Sequence, residues 1–243
     1  MKYYTISLLG SPLEPLTFSS TTEYQDLQII TIPFQSKEKS GVVLGEVDEP
    51  EFKTVEIIDD SGLFFMKMQF DFAKFIAEYY FCSMGDALAL FTPFKTLKNT
   101  PPFTKPSSNI QLSPRQESAL SELKKHRVSL LFGDTGSGKT EIYMKWFEEV
   151  LAEGKRVLML MPEISLTPQM QIRLEEHFGE SVVMWHSKLT KKQKEKNLEK
   201  IYDGTARVIA GARSALFLPL EDLGLIVVDE EHDDSYKASS RPR

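Results

Sequence analysis

The stretch VSLLFGDTGSGKTEIY, Val128 to Tyr143, decides the fold. Val128 to Phe132 read as a buried apolar strand, Gly133 to Thr140 as a glycine-rich loop, and a helix is expected to begin near Lys139. A strand, a G-x-x-x-x-G-K-T loop and a helix in that order form a phosphate cradle. The glycines let backbone N–H groups converge on phosphate oxygens without obstruction by a Cβ, and the helix adds the positive end of its dipole. Gly133, Asp134, Thr135, Gly136, Ser137, Gly138, Lys139 and Thr140 are therefore the candidate nucleotide-binding residues. Lys139 would neutralise β- and γ-phosphate charge, and Thr140 would ligate Mg²⁺. The bland alternative is a turn followed by a chance Lys-Thr.

Downstream, apolar runs recur at 156–161, 181–185, 207–210 and 223–228, separated by amphipathic helices. Near-continuous apolar strands alternating with helices indicate a parallel sheet covered on both faces, with ligands at the carboxyl ends of its strands. The last run ends in acids, LIVVDEEH, Leu225 to His232. Asp229 can hold the Mg²⁺ shell and Glu230 can polarise an attacking water. An acidic strand end is otherwise a solvated turn, and His232 can equally be a surface histidine. Ser113-Pro114-Arg115-Gln116 reads as a capping box, yet Gln116 can also reach an adenine edge. Ser165 and Thr167, in PEISLTPQ, are either helix caps or phosphate ligands. Arg213 ends the fourth apolar run, as a ligand or as an ordinary surface arginine.

Upstream, residues 1–60 alternate at period 2 in YYTISLL, LQIITIPF, GVVLGEV and FKTVEII, the pattern of a small β unit, a barrel or a sandwich. In DFAKFIAEYYF, residues 71–81, the period changes. Phe72, Phe75, Ile76, Tyr79 and Tyr80 fall on one helical stripe, expected to cover one end of the β unit. Pro101, Pro102 and Pro106 mark a linker.

A chain of 243 residues suits two domains, and 41% hydrophobic with 26% charged residues is ordinary globular composition. No apolar run approaches the roughly 18 residues of a membrane span, and the start meets Pro12 and Pro15 too early for a signal peptide. A cytoplasmic protein without membrane partners is expected. The single cysteine, Cys82, excludes an internal disulfide and a Cys-rich zinc site, so any metal should be oxygen-bound. The net charge of −6 gives no global nucleic-acid footprint. Residues 46–60 are acidic, whereas 124–127 and 186–200 are basic, each either a solvated face or a partner surface.

Taken together, GDTGSGKTEIY, LMPEISLTPQM, WHSKLT and GARSALFLPLEDLGLIVVDEEHDDSYK resemble the first lobe of the PriA family of bacterial primosomal replication-restart DNA helicases. SPLEPLTF, the IPF at 32–34, Gly41 and AEYYFCSMGDALALFTP resemble the 3′-DNA-end-binding domain of that family. The resemblance implies an α/β architecture: a small barrel-like β domain with a closing helix at 1–93, a linker at 94–111, and a RecA-like ATP-binding lobe at 112–243. It implies a superfamily 2 helicase that recognises stalled forks and moves 3′ to 5′ with ATP and Mg²⁺. Lys139, Asp229 and Glu230 would be catalytic, Gln116 would read adenine, and Thr140 with Asp229 would hold Mg²⁺. Phe18, Ser19, Thr167, Gln169 and Arg213 would contact DNA. Tyr236 would stack on a base or pack as an edge tyrosine.

Implied partners are forks, single strands and 3′ ends, with primosome proteins and single-strand-binding protein as further candidates. Three departures stand out. The linker leaves no room for the winged-helix domain of the family. Ser19 replaces the acidic residue that follows the phenylalanine of the end-binding loop. The chain stops at Arg241-Pro242-Arg243, before the second lobe, the arginine finger and the zinc-binding cysteines, so zinc is expected only in that further part. The expectation is a half-helicase with little turnover by itself. Its rivals are a non-catalytic module that holds fork DNA or a replisome partner, and a metabolic P-loop kinase, which has no need of PEISLTPQ or GARSALF.

Overall fold

A computed structural model of the chain describes residues 1–95, 110–134 and 136–237. Most of the expected linker, Thr135 and the terminal Arg241-Pro242-Arg243 lie outside the described residues. The chain divides into two compact units, with Met1–Lys98 forming the body of the first and Asn99–Leu216 and Leu220–Tyr236 the second.

The first unit is a five-stranded antiparallel sheet of β1 (Lys2–Leu8), β2 (Leu16–Ser20), β3 (Gln28–Phe34), β4 (Lys37–Val47) and β5 (Asp59–Phe64), in the order β2-β1-β4-β3-β5. Period 2 sorts its side chains. Tyr4, Ile6 and Leu8 of β1, Ile30 and Ile32 of β3 and Val43 of β4 enclose one core with Phe18 and Ile57. Their neighbours Ile29 and Val42 face the opposite way, into a second core with Phe65, Ala73, Ile76, Ala87, Leu88 and Phe91. The helices α1 (Lys67–Tyr80) and α2 (Met84–Leu88) supply the cover.

Two expected elements shift. FKTVEII is not a strand of the sheet. Instead the Ser19 N–H donates to the Val55 carbonyl, the Ile57 N–H to the Ser19 carbonyl, and the Ile58 N–H to the Thr31 carbonyl. The segment thereby bridges β2 to β3 and draws the sheet toward barrel closure, while the fifth strand forms later, from DDSGLF. The helical stripe also divides. Ile76 is buried with Gln69 and Ala73, Phe72 and Tyr80 are half-buried, and Phe75 and Tyr79 are exposed.

The second unit is a parallel sheet in the order β7-β8-β6-β9, formed by β6 (Arg156–Leu160), β7 (Val182–Trp185), β8 (Val208–Gly211) and β9 (Leu223–Val228). Its helices are α3 (Pro114–Leu123), α4 (Lys139–Ala152), α5 (Pro168–Phe178) and α6 (Lys191–Tyr202). Every residue of β6 is buried, as a strand covered on both faces requires. Phe147, Leu151, Val157, Met159, Leu174 and Val208 form the centre of the core.

Four of the five expected strands are present. The fifth, Val128 to Phe132, joins no strand: Val128 is 87% exposed, Leu130 73% and Phe132 91%, while Leu131 alone turns toward the core. Correspondingly, among the described residues β9 pairs with β6 on one side only, and Ile226 and Val228 remain 45% and 43% exposed. Apolar character makes a segment fit to be a strand, but a strand also needs a neighbour whose N–H and C=O groups it can bond.

Candidate nucleotide-binding and nucleic-acid-binding site

The carboxyl ends of the four strands are tied into one edge. The Met161 N–H donates to Gly211 O at 3.0 Å, Ala212 N–H to Trp185 O at 3.0 Å, and Asp229 N–H to Leu160 O at 2.8 Å. Gly211 has to be glycine for this to happen, because a Cβ there would collide with the Trp185 carbonyl oxygen and the Ala215 methyl. The loops following these strands therefore open on one side of the sheet, where an α/β fold binds its ligands.

Gly136 and Gly138 adopt φ of 80° and 82°, which side-chain-bearing residues rarely reach, and Ser137 N–H closes the loop onto Asp134 O at 3.1 Å. Helix α4 starts at Lys139 directly after Gly138 and carries Thr140 in its first turn. The Lys139 ammonium folds back on the loop, donating to Gly133 O at 2.5 Å and Asp134 O at 3.1 Å. The donor set fits a nucleotide phosphate with Mg²⁺: backbone N–H groups, one ammonium, one hydroxyl and the acids of β9. Among the described residues there is no cluster of three or more His, Cys, Asp or Glu that would hold a metal without such a phosphate.

Asp229 follows β9 directly, half-buried, and Glu230 next to it is exposed with φ of 48°. A non-glycine residue in the left-handed region costs about 1 kcal/mol or more. That turn separates the directions of the two carboxylates, and the Asp233 N–H closes it on Glu230 O at 2.9 Å. Tyr143, one helical turn beyond Lys139, is buried, and its phenol is pushed up to about 12 by that burial and then by the negative charges of Asp229 and Glu231. The first turns of α4 and the end of β9 are thus electrostatic neighbours. The sequence reading passed over Tyr143, although the i+4 spacing from Lys139 would have pointed to it.

Gln116 does two things. Its Oε1 accepts from the Ser113 N–H and hydroxyl, both at 2.9 Å, completing the capping box of α3, while its Nε2 donates to Gly138 O at 3.1 Å. The cap reading and a direct tie to the phosphate loop are both present, so one Nε2 hydrogen stays free to donate to an adenine edge, whereas accepting from adenine would require Oε1 to release a partner. An ion pair of Glu141 with Arg173 joins α4 to α5, a contact for which the sequence offered no signal.

Thr167 caps α5, its Oγ1 accepting from Met170 N–H at 3.2 Å, and Gln169 in the first turn is exposed. Arg213 donates to the Tyr236 carbonyl at 3.2 Å, and the Tyr236 hydroxyl donates to the Asp229 carbonyl at 2.6 Å. Two residues read as DNA contacts therefore meet each other and the strand end that bears the acids. Burial pushes the Tyr236 phenol above its usual range, reinforced by Asp229 and Asp233. His232 is exposed near Glu231, at 3.9 Å. In the first unit, Phe18 is a core residue at 5% exposure and Ser19 is 4% exposed. Neither presents appreciable surface to a ligand in this conformation.

The parallel sheet with its helices, the glycine-rich loop and the acidic strand end have the architecture of a RecA-like helicase lobe. The chain belongs to the DEAD/DEAH box helicases, whose family model matches residues 113–241. Residues 14–93 match the model of a 3′DNA-binding domain (3′BD). Over all 243 residues the chain is 47% identical to the Replication restart protein PriA of Helicobacter pylori, covering 39% of that protein. It is 37% identical over 222 residues to the protein of the same name from Rickettsia felis, covering 34% of it, and 45% identical over 145 residues to that of Bacillus subtilis, covering 18%. The chain thus spans well under half the length of these curated relatives and corresponds to their amino-terminal portion. No helix among the described residues is long and apolar enough to cross a membrane.

Proposed function

We propose that this chain is the DNA-end-binding and ATP-binding portion of a 3′-to-5′ DNA helicase that recognises stalled replication forks and begins replication restart. One observation carries the reading: a single chain joins a unit matched as a 3′DNA-binding domain to a helicase lobe in which the helix that follows the phosphate loop carries Tyr143 within the field of the acidic strand end. Within it, Gly133 to Thr140 hold the nucleotide, Thr140 and Asp229 hold Mg²⁺, and Glu230 orients the attacking water. Thr167, Gln169, Arg213 and Tyr236 serve DNA at the carboxyl end of the sheet. Fork DNA with a free 3′ end is the substrate class, and primosome proteins and single-strand-binding protein are the candidate partners. The 94–111 segment serves as a linker in place of a winged-helix domain.

The chain by itself is expected to bind nucleotide, to turn over slowly and not to unwind. An arginine that stabilises the transferring phosphoryl group contributes about 10³ to 10⁵ in rate. Of the arginines on elements around the loop, Arg173 is engaged by Glu141 and Arg213 by the Tyr236 carbonyl. The test measures ATP-analogue binding and ATP turnover, with and without a fork carrying a 3′ end at its junction, for the chain and for Lys139→Ala. Binding that is lost in Lys139→Ala, with turnover well below one per second, is the expected result. Fork-stimulated turnover above that rate would overturn the half-site reading, and failure to bind nucleotide would overturn the helicase reading.

A further inference from the structure

One strongly charged surface takes no part in the site described above. The chain is acidic overall, yet residues 186–200 hold six lysines against two glutamates. The structure gathers them at and along α6 in an arrangement that works against the stability of the helix. Lys191, Lys192 and Lys194 occupy its first turns, and the first turn contains no acid, whereas α2, α3 and α4 each carry one there. Cations at that end oppose the helix dipole. Lys192 and Lys196, four residues apart, also repel each other along one face.

Nor does α6 need these charges to fold. Thr190 and Gln193 close its capping box, and Asn197 Nδ2 anchors it to Met184 O at 2.8 Å. Lys188, Lys191, Lys192 and Lys196 are all exposed, and the best carboxylate contact among them is Lys191 to Glu195 at 3.9 Å. Elsewhere Lys2, Lys67, Lys124, Lys125, Lys145 and Lys155 each lie against a carboxylate, and exposed lysines without one, such as Lys53 and Lys74, stand singly rather than in a group. Charge gathered at one helix start with a single long carboxylate contact, at a cost to the helix bearing it, is charge available to an anionic partner.

The position of α6 selects the partner. The helix follows β7, so its lysine-rich start lies at the carboxyl end of the sheet, with the turns that carry Thr167 and Arg213. Lys192 and Lys196 are about 6 Å apart along the helix axis, a spacing suited to following a sugar–phosphate backbone. A lysine meets phosphate as a mobile point charge and reads no sequence. We propose that Lys188, Lys191, Lys192 and Lys196 form a track for the phosphates of the nucleic-acid strand that crosses this end of the sheet. The assignment rests on the reading of that end as a DNA site and adds a sequence-independent extension of it.

The test compares the chain with a variant carrying Lys188→Ala, Lys191→Ala, Lys192→Ala and Lys196→Ala, and with the four corresponding Lys→Arg changes. Binding of labelled fork DNA is measured across a salt series, and ATP-analogue binding serves as the check that the lobe is folded. The alanine variant should lose about three from the slope of log affinity against log salt, and roughly ten- to a hundredfold in affinity at low salt. The arginine variant should keep the slope, and both should bind the analogue normally. An unchanged slope in an alanine variant that binds the analogue overturns the track but leaves the DNA reading standing. Loss of binding only to an acidic peptide, with DNA binding intact, reassigns the face to a protein tail and also overturns it. If the unmodified chain binds no DNA at any salt, the reading of the sheet end fails, and the track with it.

Discussion

At the scale of single residues, Tyr143 shows how the lobe tunes charge beside the acids of β9. Its phenol is held neutral up to about pH 12, against an ordinary value of 10, by burial first and by Asp229 and Glu231 second. A neutral ring there adds no negative charge beside Asp229. The consequence for stability has a definite sign: below pH 10 the folded and unfolded chains both keep the proton, whereas between 10 and 12 the unfolded chain releases it and the folded lobe does not. Stability attributable to this group is therefore complete below pH 10 and falls as pH rises to 12, by about 2 kcal/mol. Urea unfolding at a series of pH values should show the wild-type chain losing that increment relative to Tyr143→Phe, and parallel curves would contradict it. Features that depend on immediate sequence neighbours, such as the helix start at Lys139 and the Ser113–Gln116 cap, were legible in the chain. The Gln116 tie to Gly138 was not, because it spans 22 residues, and the burial of Phe18 was not, because FSS gives no sign of which face meets the core.

Individual elements obey the same division between local pattern and distant contact. The sequence announced β1, β3 and β4 through alternation, but LTFSS is short and follows two prolines, and DDSGLF is rich in acids, so β2 and β5 emerge only through pairing with β1 and β3. Helix α1 was foreseen. Its buried stripe was misjudged because the sheet packs against the Gln69-Ala73-Ile76 face and leaves Phe75 and Tyr79 outside. Helix α2 is held by contact rather than by propensity. Ser83 donates to Ser11 O at 2.6 Å and Gly10 N–H donates to Gly85 O at 3.0 Å, while a Cβ on Gly85 would overlap the Leu8 carbonyl oxygen and stand 2.9 Å from that of Ser11. Both obstacles are backbone and cannot swing aside. Gly85→Ala should therefore destabilise the first unit by about 3 kcal/mol. Gly62→Ala, at φ of 68° with nothing within 4 Å, should cost only about 1 kcal/mol. Denaturant unfolding of the two variants checks the ranking, and equal losses would show that backbone conformation, not crowding, governs both sites.

Over the whole molecule, the sheet of the second unit ends with an unsatisfied requirement. Among the described residues β9 has no strand on its outer side, and Ile226 and Val228, on the face of β9 opposite Leu225 and Val227, meet solvent. The same unit exposes Val128, Leu130 and Phe132, a strand-like sequence with no sheet to join. A free, apolar parallel edge is a template for another chain, since its N–H and C=O groups remain open to pairing, and here the complementary segment is carried by every copy. Against this acts the net charge of −6, whose repulsion weakens as salt rises. Association of the chain with itself should therefore increase with both protein concentration and ionic strength, opposite to the salt dependence of DNA binding. A lysine in place of Ile226 would put a charge on the exposed edge, and one in place of Leu130 would break the apolar run. The double variant Ile226→Lys with Leu130→Lys should sediment as a monomer under conditions where the wild-type chain does not, while binding an ATP analogue with affinity within about threefold of it. A wild-type chain that stays monomeric at high concentration and high salt would show that this edge is not open to a second copy.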